Sequence, residues 1–203
     1  MGFTPTDITI ADIGAGTGIS SRLLAQRGAS VIAIEPNAEM LAEAQPTAGV
    51  RYQVSTAEDL PMREQSVDIV TAFQAFHWFA RDQAMHEFRR ILKSPGRVAL
   101  IWNNRETANP FDRAYADVVQ SFGEEAAIID RGTNVAPPRE TLAQHGFSAI
   151  EKREFAHGQQ LNFDGLIGRA GSTSYLPQEG PEYERLLNAL RTLHRQFADA
   201  RGF

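Results

Sequence analysis

In the run DIGAGTGISSRL, Asp12, Gly14, Gly16 and Gly18 stand at alternate positions. Glycines packed this closely let a ligand approach the backbone at the start of a helix. Glu35 follows at the end of the apolar run SVIAIE. A carboxylate there can accept hydrogen bonds from both hydroxyls of a ribose. Further on, STAEDLP supplies Ala57 and Glu58, and QAFHWF supplies Gln74, Ala75, His77 and Trp78. His77 has the one side-chain type that ordinarily titrates near neutrality, so it is the candidate general base. Arg105 and Arg169 are candidates for bidentate pairing with a substrate carboxylate.

Spacing separates the ligands a glycine loop can serve. A phosphate-cradling P-loop needs Gly-Lys followed by Ser or Thr, and the chain has no Gly-Lys pair. A dinucleotide fingerprint needs G-x-G-x-x-G. Ile19 occupies the position of its third glycine, and Gly18 comes one residue early. An acidic residue at the place of Glu35 suits both NAD and other ribose-bearing cofactors, so Glu35 alone does not choose between them.

The elements that would position these residues alternate. Ile8 to Ile13 reads as a buried strand. Ile19 to Arg27 reads as a helix with Ile19, Leu23 and Leu24 on one face and Gly28 as its stop. SVIAIE, VRYQVS, SVDIVTAF and RVALIWN supply the second to fifth strands, with Asn37 as N-cap of a helix over NAEMLAEAQ. RDQAMHEFRRILKSPG reads as a helix with Met85, Phe88 and Leu92 at helical spacing and a Pro-Gly stop. This rhythm predicts an α/β fold with a doubly wound, mostly parallel sheet and ligands at the carboxyl ends of its strands. After Asn103 the pattern becomes mainly helical. NPFDRAYADVVQSFGEEAA, PPRETLAQHG and GPEYERLLNALRTLHRQFADA read as helices, the last with Leu186, Leu190, Leu193 and Phe197 on one stripe, and FSAIEKREF reads as a sixth strand. The expectation is one domain over residues 1–203, with a cofactor-binding core in 1–104 and substrate-side helices in 105–203.

Composition narrows the function. The 203 residues carry a formal net charge of −5 and no cysteine. Disulfides, thiolate metal sites and cysteine nucleophiles are excluded, and the broad basic field of a duplex-binding protein is absent. No apolar run approaches the roughly 18 residues of a spanning helix, so neither a membrane nor nucleic acid is an expected partner and the expected location is cytoplasmic. His86, His145, His157 and His194 form no pattern with carboxylates that suggests a metal site.

The pattern D-x-G-x-G-x-G, with Glu35, STAEDLP, SVDIVTAFQAFHWF and RILKSPGRVALIWN, resembles the class I S-adenosylmethionine-dependent methyltransferases, in their small-molecule branch known as methyltransferase type 11. The resemblance runs from about Ile8 to Asn104, and RAGSTSYLP echoes it more loosely. It implies a Rossmann-like fold, S-adenosylmethionine as cofactor with S-adenosylhomocysteine as product, and a small-molecule methyl acceptor such as a carboxylic acid or other metabolite. By the same resemblance Gly14, Ala15, Gly16 and Gly18 admit the methionine portion and Asp12 anchors its amino group, directly or through water. Glu35, with Pro36 beside it, holds the ribose, and Met40 packs on adenine or ribose. The Ala57 N–H and the Glu58 carboxylate meet the adenine, and Gln74 and Ala75 pass the methionine end. Trp78, Arg105, Arg169 and Tyr175 are the candidate acceptor contacts.

Relatives of this kind carry helices before the first strand and a seventh strand after the last helix. Here seven residues precede Ile8 and the sequence stops at ARGF. The corresponding expectations are a truncated form, or a second chain, as in a homodimer, that completes the sheet and lid. The alternative functions are a binding module that holds S-adenosylmethionine without turnover and an NAD-dependent oxidoreductase on the same scaffold.

Overall fold

The computed structural model describes residues 8–103, 109–123, 137–173, 176–199 and 202. The chain divides into two compact units, residues 1–103 with 134–151, and residues 104–133 with 152–203. Arg105 and Tyr175 lie outside the described residues.

In the first unit, β1 (Thr9–Ile13), β2 (Ser30–Glu35), β3 (Val50–Val54), β4 (Val67–Phe73) and β5 (Leu92–Ile101) form a parallel sheet in the order β3-β2-β1-β4-β5. Sheets of this kind are covered on both faces, so their strands read as continuous apolar runs. The buried pattern of β1 and of the end of β2 follows from that. The chain order reverses between β1 and β4, which makes their carboxyl ends the switch point where a crevice opens.

Helix α1 (Ile19–Ala25) follows β1 and α2 (Ala38–Ala42) follows β2. Asn37 caps α2, its Oδ1 accepting from the Glu39 and Met40 amides at 2.9 and 3.2 Å. A 3₁₀ turn (Phe76–Trp78) and α3 (Arg81–Ile91) separate β4 from β5. Phe76, Met85, Phe88 and Ile91 are buried against Ile13, Ile34, Val67 and Val70 in one core. Full burial of each large side chain contributes about 1.5–3 kcal/mol. Helix α5 (Arg139–Gln144), which follows α4 (Pro110–Phe122) in the chain, brings Leu142 and then Phe147 onto the same core.

The second unit contains α4 (Pro110–Phe122), α6 (Phe163–Gly171) and α7 (Gly180–Phe197). Tyr115, Val119, Leu166, Ala170, Leu176, Leu186, Leu190 and Leu193 form its core, with Phe197 partly buried beside them. The stripe expected on the last helix is therefore its packed face. Among the described residues no helix is long and apolar enough to cross a membrane.

Three expectations are corrected. Residues 147–155 carry no strand. Glu151, Lys152, Arg153 and Glu154 put four charged side chains in succession, so neither face of a strand there could be buried. Helix α3 ends at Ile91, and Leu92 opens β5 opposite Val67. Leu92 is buried, so its helical spacing from Phe88 reports burial, not helix. In α1, Ile19 and Leu23 are 62% and 49% exposed. The inward face instead runs through Ser21, Leu24 and Ala25. It is turned there because the Ser21 hydroxyl donates to Asp12 inside the fold.

Candidate functional site

A cavity of about 470 Å³ lies at the carboxyl ends of β1, β2, β3 and β4, within the ordinary range for small-molecule sites. Its lining comes from four segments that each follow a strand. Ile13, Gly14 and Gly16 come from the glycine loop, and Glu35, Pro36 and Met40 from the turn into α2. Ser55, Thr56, Ala57 and Glu58 follow β3, and Gln74, Ala75, Trp78 and Phe79 follow β4.

The glycine loop is shaped by contacts that a side chain would block. Gly14 has φ +72°, and a Cβ placed on it would stand 2.4 Å from the Ala75 Cβ and 3.3 Å from Cζ of Phe79. The loop after β4 thus lies directly on the loop after β1. The Ile34 carbonyl accepts from both the Gly14 and Ala15 amides, at 2.8 and 3.0 Å, which ties the same loop to β2.

Glu35 is the best-fixed polar group on the lining. It is 8% exposed. Its Oε2 accepts from the Gly16 amide at 2.9 Å and its Oε1 from the Asn37 amide at 3.1 Å. Two backbone donors, one on each oxygen, set the carboxylate plane before any ligand arrives.

Asp12 has a different role from Glu35. It is fully buried and is absent from the cavity lining. Its Oδ2 accepts from the Ser20 and Ser21 hydroxyls at 2.7 and 2.6 Å, and its Oδ1 from the Thr71 hydroxyl at 2.8 Å. Burial pushes its carboxyl above the usual carboxylate range, against the pull of those three donors. Asp12 therefore joins β1, β4 and the first turn of α1, beneath the cavity and not in it. Ala15 and Gly18 also stand outside the lining. Gly18 is packed by Tyr52, whose ring atom Cε1 would lie 2.7 Å from an added Cβ.

Glu58 lines the cavity while its Oε1 accepts from the Ala80 amide at 2.7 Å, just before α3. Met40 and Trp78 are 41% and 73% exposed. His77 is not on the lining; its Nδ1 is buried without a hydrogen-bond partner, and its ring lies 4.9 Å from that of Trp78. Arg169, in the second unit, is exposed and donates from Nη1 to Gln159 Oε1 at 3.2 Å. All the described lining residues belong to the first unit.

Sequence reasoning missed Ile13, Ser55, Thr56 and Phe79 on the lining. Ile13, Thr56 and Phe79 each adjoin a residue that it found and Ser55 stands two positions before Ala57, so the signal was the strand end as a whole. Among the described residues the lining carries two carboxylates, Glu35 and Glu58, and no basic side chain. Such a site favours a cation and repels a pyrophosphate.

A family profile described as a methyltransferase domain matches residues 11–100. An uncharacterised methyltransferase of Schizosaccharomyces pombe is 28% identical over 92% of this chain and 75% of its own length. A Dictyostelium discoideum protein named as a methyltransferase is 32% identical over 89% of this chain and 73% of its own. Among solved structures, a protein assigned as a methyltransferase of an antibiotic biosynthesis pathway in Anabaena variabilis superposes with a TM-score of 0.71. It is 25% identical, over 93% of this chain and 79% of its own.

Proposed function

Because the chain belongs to the class I S-adenosylmethionine-dependent methyltransferases, we propose that it transfers a methyl group from S-adenosylmethionine to a small-molecule acceptor, a carboxylic acid or other metabolite, in the cytoplasm. The observation that carries this reading is the lining of the cavity: a preset Glu35, a second carboxylate at Glu58, and no basic side chain among the described residues. That net negative lining fits a cationic ligand such as a sulfonium better than NAD, whose pyrophosphate adds two negative charges.

In this reading Glu35 takes the ribose hydroxyls, and Pro36 and Met40 pack beside the ribose and adenine. The Ala57 N–H and the Glu58 oxygen not engaged with Ala80 face the adenine edge. Gly14, Gly16, Gln74 and Ala75 enclose the methionine portion, with Ala15 and Gly18 shaping the loop around it. Asp12 supports that loop through Ser20 and Ser21. When bound, S-adenosylmethionine supplies a methyl carbon on a positive sulfur, so displacement by an acceptor lone pair leaves a neutral thioether. The protein's contribution is chiefly to align the acceptor and exclude water, which can supply several kcal/mol of the barrier. Trp78, exposed at the rim, is an acceptor contact. His77, next to Trp78 in the chain, is the candidate for the acceptor's proton.

A binding module without turnover is the second reading. It is favoured by the described part of the lining, where the two glutamates are the only titratable side chains. Calorimetric titration of the 203-residue chain with S-adenosylmethionine and with NAD, followed by a labelled-methyl acceptor screen, separates these readings. Saturable binding of S-adenosylmethionine with transfer supports the enzyme, and binding without transfer to any acceptor supports the module. Binding of NAD in preference would overturn both.

A further inference from the structure

The wall formed by residues 55–58 belongs to a connection between β3 and β4 that contains no helix of its own. What fixes it lies some thirty residues further along the chain. Arg90, on the last turn of α3, donates from Nη1 to the Met62 carbonyl at 2.6 Å and from Nη2 to the Leu60 carbonyl at 2.9 Å. Its Nε and Nη2 also pair with the two oxygens of Glu87, both at 2.6 Å. Glu87 Oε2 in turn accepts from the Leu60 amide at 2.8 Å. Leu60 thus has both its amide and its carbonyl bound by one ion pair. At the other end of α3, Glu58 accepts from the Ala80 amide at 2.7 Å. The connection is held to α3 at both ends of the helix, with the lining residue Glu58 two positions before the clamped Leu60.

We propose that Glu87 and Arg90 are positioning residues for the cofactor site: they hold residues 57–62 so that Ala57 and Glu58 present their polar groups to the cavity. The proposal rests on the reading of that cavity as an S-adenosylmethionine site. A planar guanidinium fork suits this task because it reaches two carbonyls and a carboxylate in one geometry. A lysine ammonium offers a point charge without the fork. The pair is also well sheltered for an i,i+3 ion pair, with side-chain exposures of 31% for Arg90 and 18% for Glu87. Buried apolar anchors at Ala57, Leu60 and Met62 keep the connection attached when the clamp is removed, so the expected loss is of order, not of fold.

The test uses Arg90→Met, which keeps the aliphatic stem, Arg90→Lys and Glu87→Gln as conservative variants, and Lys93→Met as a control. Lys93 pairs with Asp68 at 2.9 Å away from the cavity. Two readouts are taken well below the melting transition: affinity for S-adenosylmethionine by calorimetry, and amide hydrogen exchange of the unliganded protein. Arg90→Met should weaken affinity about tenfold, as expected if the competent wall is populated about a tenth of the time. It should also speed exchange selectively in residues 57–62, with Arg90→Lys and Glu87→Gln intermediate. Lys93→Met should change neither. Wild-type affinity and wild-type exchange in a folded Arg90→Met protein, or in Arg90→Lys and Glu87→Gln together should Arg90→Met not fold, would overturn the proposal. If the wild type binds no S-adenosylmethionine, the cofactor reading fails, and exchange across 57–62 alone still decides whether the clamp orders the wall.

Discussion

Glu35→Gln is the sharpest perturbation of the site, because it keeps shape and removes one acceptor. In the native structure each carboxylate oxygen meets a fixed backbone donor, Gly16 N–H on one side and Asn37 N–H on the other. A glutamine amide has one oxygen and one NH₂, so whichever way it turns, one backbone donor faces another donor. A hydrogen bond to a charged group contributes about 1.5–3 kcal/mol, and a buried donor left unpaired adds a desolvation cost. The expected loss is therefore about 2–3 kcal/mol of stability, or roughly 4–12 °C in melting temperature for a chain of this size. In the proposed site the same substitution removes one of the two acceptors that the ribose hydroxyls would use. Affinity for S-adenosylmethionine should then fall by about tenfold or more, since each 1.4 kcal/mol is a factor of ten. Thermal denaturation reads the first effect and calorimetry the second. A Glu35→Gln protein with unchanged melting temperature and unchanged affinity would refute the view that Glu35 is preset by the two amides and acts on the cofactor.

Asp12→Asn should be far milder, because the partners of Asp12 are hydroxyls that can turn to donate or accept. Its effect should also change with pH. Burial holds the folded-state value of Asp12 above the usual one, so its favourable contribution is complete below the ordinary aspartate range and is lost as pH rises through the raised value. The stability of wild type relative to Asp12→Asn, measured by urea denaturation across pH, should therefore fall as pH rises through that window; a rise would contradict the assignment. Gly14→Ala should abolish binding, since a side chain at φ +72° costs about 1–2 kcal/mol and its Cβ would stand 2.4 Å from that of Ala75. Adding Ala75→Gly should restore part of the lost stability in a double-mutant cycle, and an additive cycle would show that the two loops are not in the contact described.

The parts of the fold legible in the sequence are those where burial and backbone geometry constrain residue type locally. Five parallel strands were readable because both faces of the sheet are covered and their runs are apolar. The cap at Asn37 was readable because a short acceptor is needed before α2. The glycine loop was readable because Gly14 and Gly18 meet Ala75 and Tyr52 at distances that admit no side chain. The inward face of α1 was not readable, because a serine faces in to reach Asp12 while Ile19 and Leu23 face out. Nor was the clamp: Glu87 and Arg90 look in sequence like an ordinary i,i+3 surface pair, and their real partners are backbone groups of Leu60 and Met62, which no side-chain spacing announces.

Asp12 and Glu35 show where this boundary falls within the site itself. In sequence they are alike, two carboxylates at the ends of adjacent strands flanking a glycine loop. Asp12, on β1, lies beside Thr71 of β4, its register partner, and under the serines of α1, so three hydroxyls close around it and exclude it from the cavity. Glu35, the last residue of β2, meets only two amides, one on each oxygen. A carboxylate oxygen has about two acceptor sites, so Glu35 retains capacity on both oxygens, at the cavity wall, for two further donors. The hydroxyl-bearing neighbours of one carboxylate and the amide neighbours of the other thus divide the pair into a support and a cavity-facing group.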